Sequence, residues 1–333
     1  MNPGRCEVEA LRGGIVESIH HVHVAIAHAD QGLIASAGNP AHKTFVRSSI
    51  KMFQALPFVE AGGVERFQLT GEELALCAAS HGGEPFHVAA ARSILAKARV
   101  TEAALACGAH LPLHEATGRA MLCAGESPGR IHNNCSGKHA GMLAHCVQQQ
   151  WVTNGYHKAT HPMQQRVLST LTRWMRINAE DVSVAIDGCG LPTFGIVLDA
   201  VAEGCARFAA AVAGGDAAPS AIFNAMVAHP EYVAGTDRLD TDVMRAAGSR
   251  LIVKVGAEGY YTAAVPSMKL GVALKVEDGN KRAAEPAILA VLRHIDAIGA
   301  GEIDWLKKYA EPELRNTRNE VVGHVRVNLA LST

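Results

Sequence analysis

The stretch Leu251-Ile252-Val253-Lys254-Val255-Gly256-Ala257-Glu258-Gly259-Tyr260-Tyr261-Thr262-Ala263-Ala264-Val265, followed after Pro266 by Lys269-Leu270-Gly271-Val272-Ala273-Leu274-Lys275-Val276, holds three runs rich in β-branched and aromatic side chains. Gly and Pro separate them, so 251–255, 260–265 and 269–276 read as successive strands. Strand character also marks both ends of the chain. Val22, Val24 and Ile26 alternate with His21, His23 and Ala25, and Asp30-Gln31-Gly32 supplies a turn before Leu33 to Ala37, which predicts a hairpin. Glu320 to Leu331 alternates as a closing strand.

Between these ends the text is helical. Ser49 to Ala61 has helical spacing and stops at Gly62-Gly63. Thr70-Gly71-Glu72-Glu73 is a capping-box start for a helix through Ala79. Pro85 opens another, with Phe86, Ala89, Ala90, Ile94 and Leu95 on one face. From about Thr101 to Ala247 the chain is alanine-rich and mostly helical, and a further helix covers Arg282 to Ile298. Strands at both ends with helices between predict an α+β fold: an antiparallel sheet built from both termini, with an inserted helical lobe. The expected organisation is a single domain, 1–333, with a sheet lobe at about 1–65 and 250–333 and a helical lobe at about 66–249.

Composition narrows the function classes. Hydrophobic residues make up 48% and charged residues 19% of the 333, which excludes a disordered chain. With 31 basic against 32 acidic residues the net charge is -1, so neither nucleic acid nor an anionic membrane surface is expected as partner. The opening Met1-Asn2-Pro3-Gly4-Arg5-Cys6-Glu7 lacks an export signal, and the apolar run Ile196 to Ala211 is broken by Asp199, Glu203 and Arg207. A cytoplasmic location is expected. The cysteines at 6, 77, 107, 123, 135, 146, 189 and 205 then read as reduced thiols rather than a disulfide framework.

Five segments carry chemistry. In Arg47-Ser48-Ser49-Ile50-Lys51, a Ser48 capping the following helix would have the Lys51 amine one turn on. Serine needs a base to become a nucleophile, and lysine is one only when burial or a second cation lowers its pKa. A short Ser-x-x-Lys pattern also arises as a cap serine followed by a solvated lysine. Ser80-His81-Gly82-Gly83 places a second serine in a loop, and Lys254-Val255-Gly256-Ala257-Glu258-Gly259 a second lysine at a strand end. That order occurs in penicillin-recognising enzymes and serine glutaminases. A fourth segment, Asn133-Asn134-Cys135-Ser136-Gly137-Lys138-His139, goes with a fifth, Asp187-Gly188-Cys189-Gly190. Cys135, Lys138 and Cys189 could be donors to a zinc ion with an open fourth position, or buried thiols and a lysine. His139 and Asp187 could orient a substrate or be satisfied buried groups.

Taken together, Ser48-Ser49-Ile50-Lys51, Ser80-His81-Gly82, Asn134-Cys135-Ser136-Gly137-Lys138-His139-Ala140-Gly141, Asp187-Gly188-Cys189-Gly190 and Lys254-Val255-Gly256-Ala257-Glu258-Gly259 resemble the L-asparaginase II family of the rhizobial type. The resemblance implies a serine β-lactamase-like fold, a homodimer, and hydrolysis of L-asparagine to aspartate and ammonia. It implies two Ser-Lys pairs, Ser48 with Lys51 and Ser80 with Lys254, and zinc held by Cys135, Lys138 and Cys189. Arg47, His139 and Asp187 are the candidates for holding the substrate's charged ends. Two other readings stand beside this one: a glutaminase or related amide hydrolase of the same fold, and a non-catalytic, zinc-stabilised binding protein.

Overall fold

The chain begins with a strand, Arg5–Arg12, that the sequence reading missed. Cys6, Val8 and Ala10 are buried at alternate positions, and Gly13 and Gly14, both at positive φ (54° and 80°), turn the chain into Ile15–His28. The computed structural model describes residues 4–332. Met1–Pro3, part of the segment read for an export signal, and Thr333 lie outside the described residues. Two units are formed. One comprises the chain through Ser49, Ile196–Gly214, and the chain from Asp242 onward; the other is Ile50–Gly195 with Gly215–Thr241.

The first unit is built on an eight-stranded antiparallel sheet, in the order Glu313–Arg315, Val321–Ala330, Arg5–Arg12, Ile15–His28, Leu270–Val276, Tyr260–Val265, Ile252–Gly256, with Gly32–Ala37 also paired to Ile15–His28. The expected hairpin is present, with Val24 opposite Ala37. Its long strand switches partner along its length: Val8 faces His20, and further on Val22 faces Val276. Tyr260–Val265 and Leu270–Val276 are buried at every position, so these strands are covered on both faces. Helices Leu198–Gly214 and Lys281–His294 pack on the sheet. The first of these, which the sequence reading put in the helical lobe, comes so close that a Cβ on Gly271 would lie 2.2 Å from Ala202 O. Fully burying a side chain such as Phe208 on this helix contributes about 1.5–3 kcal/mol.

The second unit is helical around Ser136–Gln148, a helix buried at every position except Val147. Such a helix is ordinarily apolar all round. This one carries Lys138, His139 and His145 inside. Gly137 and Gly141 let Gly71–Cys77 press against it, since a Cβ would stand 2.4 Å from Leu76 Cγ at the first and 2.7 Å from Cys77 Sγ at the second. The capping box at Thr70 and Glu73 is formed. Helix Pro85–Lys97 is where expected, but it buries His87, Val88, Ala91, Ile94 and Leu95, not Phe86, Ala89 and Ala90. The His87 ring stacks on His81 and its Nε2 lies 2.8 Å from Glu231 O, which draws that side inward. The stretch 101–247 is not all helix: Ser183–Ile186 and Pro192–Val197 form a hairpin, with Ile186 opposite Pro192. Among the described residues no helix is long and apolar enough to cross a membrane.

Candidate active site

Within the second unit five of the expected residues converge. Helix Lys51–Glu60 begins with a lysine that is 0% exposed. Its Nζ donates to the carbonyl of Ala79 and lies 2.8 Å from Ser80 Oγ and 3.2 Å from Cys135 Sγ. Ser80 is held by its own backbone, whose N–H donates to Val233 O at 2.9 Å, while the next N–H, of His81, donates to Asn134 O at 3.0 Å. Cys135 precedes the central helix, and its N–H donates to Asn133 Oδ1 at 2.9 Å. One turn on, Lys138 Nζ is 3.4 Å from Cys189 Sγ.

Cys189 lies in the loop of the hairpin. Gly190 closes that loop at φ 84°, donating to Asp187 O at 2.8 Å, and Asp187 N–H donates to Leu191 O at 2.8 Å. The Asp187 carboxylate accepts the N–H of Gly188 at 2.7 Å, and its charge also acts on Lys138. So Asp187 has a local task in shaping the turn.

His139 is fully buried, and burial first, then the charge of Lys138, pushes its pKa down to about 3. Its Nδ1 is 2.5 Å from the hydroxyl of Tyr156, which also accepts the N–H of Ala106 at 3.0 Å. Among the described residues His139 Nε2 has no hydrogen-bond partner. Nothing in the pattern around Asn154-Gly155-Tyr156-His157 announced Tyr156, since a lone tyrosine in a turn carries no spacing signal.

Arg47, Ser48 and Lys254 belong to the first unit. Ser48 is not the helix cap. It sits half-buried in a 3₁₀ turn, Arg47–Ile50, and the cap position of the following helix is Ile50. Arg47 has a positive φ of 48°. The turn is fixed to the sheet: Ser49 Oγ donates to Val46 O at 2.6 Å, and Thr262 Oγ1 donates to Ser49 O at 2.7 Å. Thr262 stands opposite Lys254, which is 0% exposed and whose Nζ donates to Val255 O at 3.0 Å. Gly256 is needed here, because a Cβ would meet Val46 O at 3.0 Å. The family resemblance pairs Ser80 with Lys254; within its own unit Ser80 Oγ meets the amine of Lys51.

The family model for L-asparaginase II matches residues 8–327 of the chain. The chain belongs to the L-asparaginase II family. It is therefore an enzyme, an amidohydrolase of the L-asparaginase type, and the reading as a non-catalytic binding protein falls away. No curated relative matches the sequence significantly.

In this asparaginase the protons of the buried cluster can be placed. Cys135 gives its hydrogen bond to Cys189, which holds the Cys189 thiol well below the usual range, helped by Lys138; the same bond raises Cys135. Burial alone would lower Lys138, but the sulfurs of Cys135 and Cys189 and the charge of Asp187 outweigh it and raise the pKa. The Cys135 and Cys189 sulfurs thus favour the charged form of Lys138, and Lys138 in turn favours the thiolate form of Cys189. Lys51 goes the other way: burial lowers its pKa, and the Lys138 charge adds to this against the opposing pull of Cys135. A neutral Lys51 has two N–H bonds and one lone pair. The Ala79 carbonyl can only accept, and the Cys135 sulfur accepts because its proton is turned to Cys189. In a neutral Lys51 the lone pair would then face the Ser80 hydroxyl.

Proposed function

We propose that this asparaginase hydrolyses L-asparagine to L-aspartate and ammonia by serine–lysine catalysis, with Lys51 as the base. The observation that carries this reading is the fully buried Lys51 amine, lowered in pKa, 2.8 Å from Ser80 Oγ. Ser48 is the nucleophile. It is half-buried, so a substrate can meet it, whereas Ser80 is 4% exposed and better suited to passing a proton to Lys51. The serine proton ends on Lys51, the oxygen bonds to the amide carbon, and ammonia leaves with that proton. Water then repeats the step on the acyl ester and releases aspartate. Lys254 is the second lysine of the proposed chemistry. His139, Asp187 and Arg47 contribute to holding the substrate. A second reading makes Ser80 the nucleophile, favoured by its direct bond to Lys51.

The reading is tested by ammonia release from L-asparagine and from L-glutamine. The two differ by one methylene, which a pocket separates by about 1–3 kcal/mol, or roughly 10–200-fold. Asparagine is expected to be the better substrate by at least about tenfold. A preference for glutamine would move the assignment to a glutaminase of the same fold.

The family resemblance implies zinc, and the donors fit it. The 3.4 Å between Lys138 Nζ and Cys189 Sγ is close to the ~3.5 Å edge of a tetrahedron with ordinary Zn–N and Zn–S bonds. Two sulfurs and an amine form a sound donor set once Cys135 and Lys138 give up a proton each. Among the described residues no group of three His, Cys, Asp or Glu could hold a metal, so the amine is a required member. Zinc held by Cys135, Lys138 and Cys189 would supply fixed positive charge beside the substrate. About one zinc per chain is expected in purified protein, and Cys189→Ala should weaken its hold on the order of 100-fold or more. Elemental analysis checks this, and a Cys189→Ala protein with undiminished zinc would refute it. A serine β-lactamase-like relationship, a homodimer and a cytoplasmic location complete the proposal.

A further inference from the structure

Ser80 and Cys135 meet the same Lys51 amine from different segments of the chain, at 2.8 Å and 3.2 Å. One side-chain bond joins those segments a single residue further along each. His81 Nε2 lies 3.0 Å from Ser136 Oγ, and both residues are fully buried. The other ring nitrogen, Nδ1, accepts the N–H of Gly83 at 3.2 Å, so the proton is on Nε2 and His81 donates to Ser136. The main chain runs beside this bond, with the His81 N–H donating to Asn134 O at 3.0 Å.

The same ring reaches a third segment. His81 stacks on His87 with centroids 4.8 Å apart and planes 19° from parallel. His87 Nδ1 accepts the N–H of Glu84 at 3.1 Å, so its Nε2 carries the proton and donates to Glu231 O at 2.8 Å. Two residues on, Val233 O accepts the N–H of Ser80 at 2.9 Å. The loop beyond has little latitude, since a Cβ on Gly83, at φ 76°, would stand 3.0 Å from both His132 O and Pro112 Cα. Two backbone bonds on adjacent residues, Ser80 and His81, leave the loop free to pivot. The His81 ring, bonded to Ser136 and stacked on His87, is the further anchor that removes this freedom.

We infer that His81 is a positioning residue whose Nε2–H bond to Ser136 holds the Ser80 hydroxyl at Lys51, which rests on the reading of Ser80 as the group that passes a proton to that lysine. A displacement of about 1 Å in such a contact can cost roughly 100-fold in rate, so a third anchor on the loop has a kinetic consequence. The imidazole moves no proton itself. Burial first, then His87, pushes its pKa well below that of an ordinary histidine, and the ring stays neutral.

The test removes the acceptor and leaves Ser80 and Lys51 untouched. Ser136→Ala is expected to lower kcat on L-asparagine by about 10–100-fold with KM within about twofold of wild type. His81→Phe should give the same loss, which guards against one variant failing to fold. His81→Gln, whose amide nitrogen reaches the place of Nε2, should recover part of it. The deciding arm is Ser136→Ala made in a Ser80→Ala protein, where no hydroxyl is left to hold and the further loss should be less than about twofold. Equal losses in the two backgrounds would make the His81–Ser136 bond a general structural one, and a Ser136→Ala kcat within about twofold of wild type would make it dispensable; either overturns the inference. A Ser80→Ala protein that was fully active, or that turned over nothing, would instead overturn the relay reading of Ser80, before Ser136 is changed.

Discussion

Alanine at Ser48 is expected to lower kcat on L-asparagine by roughly 10⁴–10⁶-fold, the loss that follows removal of a nucleophile. Alanine at Ser80 is expected to cost about 10²-fold, because the nucleophile stays and only the proton path to Lys51 is broken. The turn that carries Ser48 is held through Ser49 and Thr262, and Ser48 caps no helix, so the fold should be undisturbed. Steady-state kinetics on both variants, with circular dichroism as the control, decides the order. If Ser80→Ala proved the more damaging, Ser80 would take over as nucleophile.

The second large effect belongs to Lys51. Lys51→Met keeps the length and burial of the side chain and removes the amine that lies 2.8 Å from Ser80 Oγ. A loss in kcat of about 10²–10⁴-fold is expected. Thermal unfolding should be little changed. Ala79 O loses its donor, which costs about 1–3 kcal/mol, but a buried amine is also replaced by apolar surface, which acts in the opposite direction. Inactivity with an unchanged melting temperature separates a chemical role from a structural one. A variant within tenfold of wild type would remove Lys51 as base.

How far these features could be read from the sequence differs from element to element. The strands near 252, 260 and 270 and the hairpin at Val24 and Ala37 were legible, because alternation and turn residues are local signals. The hairpin Ser183–Ile186 with Pro192–Val197 was hidden by its reversed exposure: Val184 and Ile186 are 50% and 82% exposed, so its alternation does not mark a core face. On helix Pro85–Lys97 the inward face was misjudged because a histidine, not a phenylalanine, turns to the interior. The site was legible as a set of residue types, since Cys-Ser-Gly-Lys-His is a dense and distinctive run. Its wiring was not. The bond from Lys51 to Ser80 joins residues 29 apart, and the partnership of Lys138 with Cys189 spans 51. Tyr156 enters only through tertiary contacts that no spacing rule encodes.

The central claim is that a neutral Lys51 takes the serine proton, and the pH dependence of kcat/KM for L-asparagine addresses it most directly. Lys51 is lowered by burial, so it loses its proton on a rising pH scale before an ordinary lysine would at about 10.4. Only the neutral form is active, so the rate climbs as pH rises through that lowered value and levels off beyond it. The expected profile has one ascending limb with a slope of about one in logarithmic units, a plateau reached at lower pH than an ordinary lysine of about 10.4 would give, and no such limb in Lys51→Met. A wild-type rate that stayed flat from about pH 5 to 9, or that peaked in acid and fell as pH rose, would contradict lysine as the base.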